Sequence, residues 1–357
     1  MFKKLSLGIL CFIGACVMAR AGGVDPDQLA KPKLEHLPPP PPAVAVTAPT
    51  IQGSWEIGID VLYQRMSNNE LQYGTLVNNS GGSNVSNKGL VNDPKYHWQF
   101  SADVLYNIPG EGRFVQFAYT RNHSDDSDGT VLPAGSGTGG SDFISMNGLA
   151  QGVNLNQWDT GFGKQDIDYH AYDLVTGQRI NVGSRVQLIP FAGVRYTDIQ
   201  QDDQMQFTRI DDGSSANSRT KIDIKAAGPR FGMGANVYVA HDISVTGRIA
   251  GSLLFSDSDR KDIIVAINDD LVPATTVVTQ TDDSDKHQLI PEVDARLGVN
   301  YTHGFLNDTV FMVEAGYEMT HYFDVLSQSS QALEDTVNLN GDYALHGPYF
   351  RVQLDFA

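Results

Sequence analysis

Tyr96-His97-Trp98-Gln99-Phe100-Ser101-Ala102-Asp103-Val104-Leu105-Tyr106-Asn107 sets an apolar face, Tyr96, Trp98, Phe100, Ala102, Val104 and Tyr106, against a mostly polar one. Successive side chains of a strand point to opposite sides, so a period of two marks a β-strand with one face in an apolar medium. The turn Pro109-Gly110-Glu111-Gly112 ends the segment, and Val115, Phe117 and Tyr119 resume the alternation beyond it. Trp55, Ile57, Ile59, Val61 and Tyr63 show the same texture, as do stretches 243–255, 289–301 and 311–319.

A soluble β-sandwich also alternates, and three features separate the two folds. The segments are about 10–15 residues or longer, the length of a tilted strand crossing a bilayer, whereas soluble strands average about five or six. The joins are short at 108–112, 182–184, 240–242 and 304–307 but long at 67–94, 124–164, 209–219, 258–285 and 325–346. Short periplasmic turns opposite long outer loops mark an outer-membrane barrel. The chain also closes on an amphipathic strand in which Phe350, Val352, Leu354 and Phe356 alternate with Arg351, Gln353 and Asp355. Such a last strand resembles the signal read by barrel-insertion machinery, although Ala357 leaves the final aromatic one place early.

The expected fold is therefore all-β, an antiparallel transmembrane β-barrel over 51–357 with about ten strands. They fall at 54–66, 95–107, 113–123, 165–181, 185–208, 220–239, 243–257, 286–303, 308–324 and 347–357. Eight or twelve result if 165–181 or 185–208 is misread. In the sixth, the apolar phase slips from Ile222, Ile224 and Ala226 to Phe231, Met233, Ala235 and Val237, which predicts a bulge at Gly228-Pro229.

Before the barrel, Lys3 and Lys4 precede an apolar run ending in Ala19-Arg20-Ala21, which reads as a signal peptide over 1–21. The alternative is lipoprotein processing at Cys16, after Ile13-Gly14-Ala15. Cleavage after Ala21 removes Cys11 and Cys16, the chain's two cysteines, and with them any disulfide or thiolate metal site. Residues 22–50, with prolines at 38–42, read as a disordered linker. A net charge of −17 over 357 residues, at pI about 4.7, argues against nucleic acid as a partner.

The stretches Leu188-Ile189-Pro190-Phe191-Ala192-Gly193-Val194-Arg195-Tyr196, Gly228-Pro229-Arg230-Phe231-Gly232, Arg248-Ile249-Ala250-Gly251-Ser252-Leu253-Leu254 and Gly347-Pro348-Tyr349-Phe350 resemble the Legionella-type major outer membrane protein family of pore-forming barrels. The resemblance covers about residues 50–357 and implies a pore in the outer membrane of a Gram-negative bacterium. It does not extend to disulfide-linked assembly, for which the mature chain lacks the cysteines.

The chemical motifs are weak. Residues 135–140 satisfy G-x-G-x-x-G but lack the strand and helix of a nucleotide fold, and read as loop. Asp125-Asp126-Ser127-Asp128 and Asp282-Asp283-Ser284-Asp285 are acidic clusters expected in outer loops, solvated or bridged to lipopolysaccharide by divalent cations. His97 and His170 read as lumen or loop residues, and no hydrolase signature is present. No enzyme activity, cofactor or metal is expected. Alternation turns Glu56, Asp60, Asp103, Asp223, Glu292, Asp294, Glu314, Glu318 and Asp355 inward, with Lys221, Lys225, Arg195, Arg230, Arg248, Arg296 and Arg351. The candidates for a constriction are Arg195, Arg230, Arg248, Arg296, Arg351, Glu292, Asp294, Glu314 and Glu318, with Arg296 at the centre of an acid cluster and Arg248 facing it.

Charged residues in a lumen admit two functions. One is a passive pore for small hydrophilic solutes or ions, cation-preferring because the chain is acidic. The other is a structural or adhesive surface barrel whose lumen is plugged by neutralising pairs and whose outer loops do the work. Expected partners are outer-membrane lipid and lipopolysaccharide, the insertion machinery and a further copy of the chain in a homo-oligomer.

Overall fold

A sheet whose strands are apolar on one side and polar on the other leaves two unpaired edges, and closing it on itself removes both. The computed structural model describes residues 54–356 except 69–71, 79–85, 93, 111, 133–141, 147–157, 212, 241, 269–274, 306–308 and 333–334. The leader, the Cys16 alternative, the proline-rich linker and the glycine run at 135–140 lie outside the described residues. The elements are β1 (Ser54–Asn68), β2 (Gln72–Asn78), β3 (Ser86–Val91), β4 (Tyr96–Asn107), β5 (Arg113–Val131), β6 (Phe143–Met146) and β7 (Thr160–Gln178). They continue with β8 (Ile180–Val182), β9 (Val186–Thr208), β10 (Ser215–Tyr238), β11 (Ile243–Asn268), β12 (Thr275–Gly304), β13 (Val310–Ala332) and β14 (Asp335–Phe356). The described residues contain no helix.

Ten of these strands form a closed antiparallel ring, β1-β4-β5-β7-β9-β10-β11-β12-β13-β14, with β14 pairing back onto β1 and the three-residue β8 lying along the end of β9. From Glu56 the pairing runs through Leu105, Gln116, Val175, Gly193, Arg230, Ser252, Glu292, Tyr322 and Tyr343. It returns to β1 at Asn68, a stagger of 12 residues. For ten strands that stagger sets a tilt of about 40° and a backbone radius of roughly 10 Å, wide enough for side chains to meet across the middle.

The expected strands begin and end within a few residues of the observed ones at the short-turn end, where Gly110 and Gly183 take φ of 91° and 70°. At the other end the strands run much further than expected. β5, β7, β10, β11, β12, β13 and β14 extend through stretches read from sequence as loops, and both acidic clusters lie within strands, at β5 and β12. The stretches between β1 and β4 and between β5 and β7 build a second small sheet, β3-β2-β6. Its Tyr73, Leu90 and Ile144, with Trp158, pack against Phe207, Ala216 and Ala266 on the inner side of β9, β10 and β11.

The bulge expected at Gly228-Pro229 is absent. β10 keeps unbroken register with β9, and Ala227 and Arg230 pair with Phe255 and Ser252 of β11 in one register. Even-numbered residues face inward along the whole strand: Ile222, Ile224 and Ala226 are buried, and so is Arg230, while Phe231 and Met233 are exposed outward. The apolar side changes because the surroundings change. Towards the short turns the outside faces lipid and the inside is polar; beyond Gly228 the outside faces water and the inside is an apolar core. Lys221, Asp223 and Lys225, placed inward on the assumption of a bulge, in fact point outward. Within the barrel, the register shifts that do occur lie between Ser258 and Arg260 in β11 and between Tyr322 and Leu326 in β13, where Asp324 has φ of 54°.

Aromatic residues bound the lipid-facing zone: Trp55, Tyr301 and Phe356 beside the short turns, and Tyr63, Tyr96, Trp98, Tyr172 and Tyr196 at the other limit. On the last strand Phe350, Val352, Leu354 and Phe356 project outward between β13 and β1.

Candidate functional site

Polar groups buried on the inner side of a barrel cost free energy unless they are hydrogen-bonded or paired. Near the short turns the Glu56 carboxylate accepts hydrogen bonds from Arg179 Nη2 (2.7 and 2.9 Å), Asn107 Nδ2 (2.7 Å) and Gln353 Nε2 (2.9 Å). Above it, Arg351 Nη1 donates to Asp60 Oδ2 (3.0 Å) and Asp103 Oδ1 (2.6 Å). Its guanidinium passes over Gly58, where a Cβ would collide with it, so glycine is what leaves room for the crossing.

Arg296 of β12 reaches Asp60 Oδ1 of β1 (2.8 Å), Glu314 Oε1 (3.2 Å) and Glu318 Oε2 (3.4 Å) of β13. Its guanidinium lies 3.6 Å from the ring centre of Tyr349, whose hydroxyl donates to Glu314 Oε1 at 2.5 Å. A second group centres on β9, β10 and β12. Arg195 grips Asp173 with Nε and Nη2, both at 2.6 Å, and gives Nη1 to Glu292 Oε1 at 2.6 Å. Arg230 donates to Glu292 Oε2 (3.0 Å), Ser252 Oγ (3.0 Å) and Asp294. Arg230 and Glu292 are each only 1% exposed, so every charge here depends on its neighbours.

All nine constriction candidates face the lumen; Arg296 sits in a cluster with Glu314, Glu318 and Asp60, the last not expected there, while Glu292 and Asp294 go to Arg195 and Arg230 instead. Arg248 does not join the Arg296 cluster: its Nε lies 3.7 Å from Asp294 Oδ1, and neither atom has a hydrogen-bond partner among the described residues. Sequence reading missed Asp173, Arg179 and Tyr349. Asp173 and Tyr349 sit on inward positions that alternation in β7 and β14 could have supplied; Arg179 lies between β7 and β8, where no period helps. His97 faces inward with Nε2 3.2 Å from Asp126 Oδ2, whereas His170 faces outward with Nδ1 2.9 Å from the Tyr119 hydroxyl.

Above the charges the lumen holds an apolar cluster, bordered on β4 and β5 by the inward polar residues Gln99, Asn122, Ser124 and Asp126. Met66, Ile167, Tyr169, Ile199, Ile224, Leu254, Ile290, Tyr322, Tyr343 and Leu345 form one buried cluster contributed from around the ring. β7 and β13 are diametrically opposite, yet the hydroxyls of Tyr169 and Tyr322 lie 2.6 Å apart, and Tyr343 donates to Met66 Sδ at 3.1 Å. Between this layer and the short turns lies a cavity of about 260 Å³, lined from Glu56, Asn236 and Gln353 up to Gln64, Tyr169 and Leu345.

Outside the lipid-facing zone, the inward Asp203 of β9 accepts hydrogen bonds from Gln165 and Gln201, and burial pushes its carboxyl up to about 6. Among the described residues, His123, Asp166 and Asp168 offer metal-ligating atoms within 4.8 Å of one another, on the outward face of β5 and β7.

No curated protein matches the chain. Among solved structures, the outer membrane protease OmpT of Escherichia coli is similar at 10% identity and a TM-score of 0.41, over 87% of this chain and 99% of that one. A Pseudomonas aeruginosa FadL homologue is similar at 8% identity and a TM-score of 0.24, over 85% and 90%. The sequence profile described as Legionella pneumophila major outer membrane protein precursor matches residues 47–356. With that match spanning nearly all of the chain, this closed ten-stranded barrel belongs to the Legionella major outer membrane protein family.

Proposed function

We propose that the protein is a structural, surface-presenting barrel of the outer membrane whose lumen is shut in the state described. The observation that carries this reading is the Tyr169–Tyr322 contact across the full diameter, set in an apolar cluster above the ion-pair networks. Hydrated ions do not readily cross a constriction closed by apolar side chains. The outer strand extensions and the β3-β2-β6 sheet are then the working surface. Export through the 1–21 leader, and delivery to the insertion machinery by Phe350, Val352, Leu354 and Phe356, belong to the same reading.

The 260 Å³ cavity favours a second reading, a passive pore for small hydrophilic solutes that opens when the tyrosine layer parts. Seven acids and six arginines line that cavity, so such a pore would prefer cations. Planar-bilayer recording on the refolded protein separates the two. The closed reading expects a silent membrane; discrete steps with a cation-signed reversal potential in a salt gradient would replace it with the pore.

A further inference from the structure

We propose that the outward face of β1, β4 and β5, at the outer limit of the lipid-facing zone, binds the phosphate-bearing headgroup of an outer-leaflet lipid through Arg65 and Arg121 on either side of Trp98. Arg65 pairs with Tyr96 across β1 and β4, and Arg121 pairs with Phe100 across β4 and β5. The two arginines therefore flank β4 diagonally, with Trp98 midway between Tyr96 and Phe100. Two strand spacings and four residues of strand separate them by roughly 16 Å.

The location is what gives the patch a ligand. Below it the same outward face is Val61, Phe100 and Phe117, all exposed, as lipid contact requires. At its level Tyr63 stacks on Tyr96 (5.3 Å between centroids) and on Trp98 (4.8 Å), and Trp98 is 73% exposed. Aromatic rings of this kind mark headgroup depth. Arg121 is exposed and makes no hydrogen bond or ion pair among the described residues. An arginine on the lipid side is tolerated near the interface because its long stem lets the guanidinium reach the headgroups, where its fork fits phosphate oxygens. Further round the rim, the outward cations Arg219, Lys221 and Lys225 of β10 are already held by Asp202 and Asp223, whereas Arg121 has no such acid among the described residues. Direct binding by arginine needs no divalent bridge.

The test uses the full mature chain refolded in dodecyl maltoside, with lipid A added to the micelles and bound lipid counted by native mass spectrometry. The expected result is saturable binding that persists in a chelator, falls at least tenfold in Arg121→Gln, stays within about threefold of wild type in Arg121→Lys, and is lost in the Arg65→Gln/Arg121→Gln double variant. Lipid A stripped of its phosphates should bind at least tenfold more weakly, and millimolar inorganic phosphate should not displace the intact lipid. Wild-type binding by Arg121→Gln would overturn the proposal, as would equal binding of the dephosphorylated lipid, loss of binding in chelator, or displacement by free phosphate. Heat-modifiable gel migration reports folding of each variant. If the double variant does not fold, Arg121→Gln decides alone, since Arg121 is exposed. Nothing in this site depends on whether the lumen conducts.

Discussion

Arg296 holds three carboxylates from two strands and one aromatic ring, so its loss would leave Asp60, Glu314 and Glu318 in a buried site without their shared counter-charge. Removing one member of such a buried network costs about 3–5 kcal/mol. Arg296→Ala is accordingly expected to lower the urea midpoint of the refolded barrel sharply. Arg248→Ala should change it by less than about 1 kcal/mol, because Arg248 is 36% exposed and its Nε comes no nearer than 3.7 Å to Asp294, without a hydrogen bond. Equal effects of the two substitutions would show that the lumen does not discriminate between saturated and loosely held arginines. Arg296→Lys should recover only part of the loss, since an ammonium cannot fork between Asp60 and Glu314 while stacking on Tyr349.

Each long strand is two elements in series, and β10 shows where they join. From Ser215 to Ala226 its inner side is apolar, like a strand of a soluble barrel; from Gly228 to Tyr238 its outer side is apolar, as in a membrane strand. The outer element should therefore respond to pH independently of the lipid-embedded one, and Asp203 supplies the trigger. Its carboxyl is raised to about 6 by burial, above the usual value near 3.8. The folded state then binds this proton more tightly than the unfolded state, so its penalty is absent below about pH 4, grows as pH rises, and is complete above about 6. Amide exchange in the outer parts of β7 and β9, corrected for intrinsic rate, should show more protection at pH 4.5 than at pH 7. Asp203→Asn should flatten that difference. Protection that rises towards pH 7 and ignores Asp203→Asn would mean that this carboxyl is ionised at little cost.

At the scale of the whole molecule, ten strands with a stagger of 12 make a ring that side chains can just span, and three tyrosines do so. Replacing Tyr169 and Tyr322 by alanine removes the two rings that meet across the diameter. Each large-to-small change in a packed core costs about 3–5 kcal/mol, so the double variant should be less stable yet carry current where the wild type is silent. A variant that folds and stays silent would place the closure elsewhere, in the ion-pair layers or at the Trp158–Phe207 packing of the small outer sheet.

Alternation, together with segment length, the short and long joins and the closing strand, pointed to a barrel of about ten strands, located their short-turn ends, and placed Arg195, Arg230, Arg296, Arg351, Glu292, Asp294, Glu314 and Glu318 inward. Side-chain direction in a strand depends on nothing beyond position parity, and a lipid-facing side must be apolar, so both are written locally. Which inward charges meet is not local: Asp60 reaches Arg296, and Arg195 reaches Glu292, across several strands, and only the stagger of the closed ring sets those distances. The outer strand halves were misread for the same reason. A period of two shows that one side is apolar but not whether lipid or a protein core lies against it, and the apparent slip at Gly228-Pro229 was a change of medium along a straight strand. The closure of the lumen by Tyr169 and Tyr322 was equally invisible, because residues 153 positions apart become neighbours only when the sheet is rolled up.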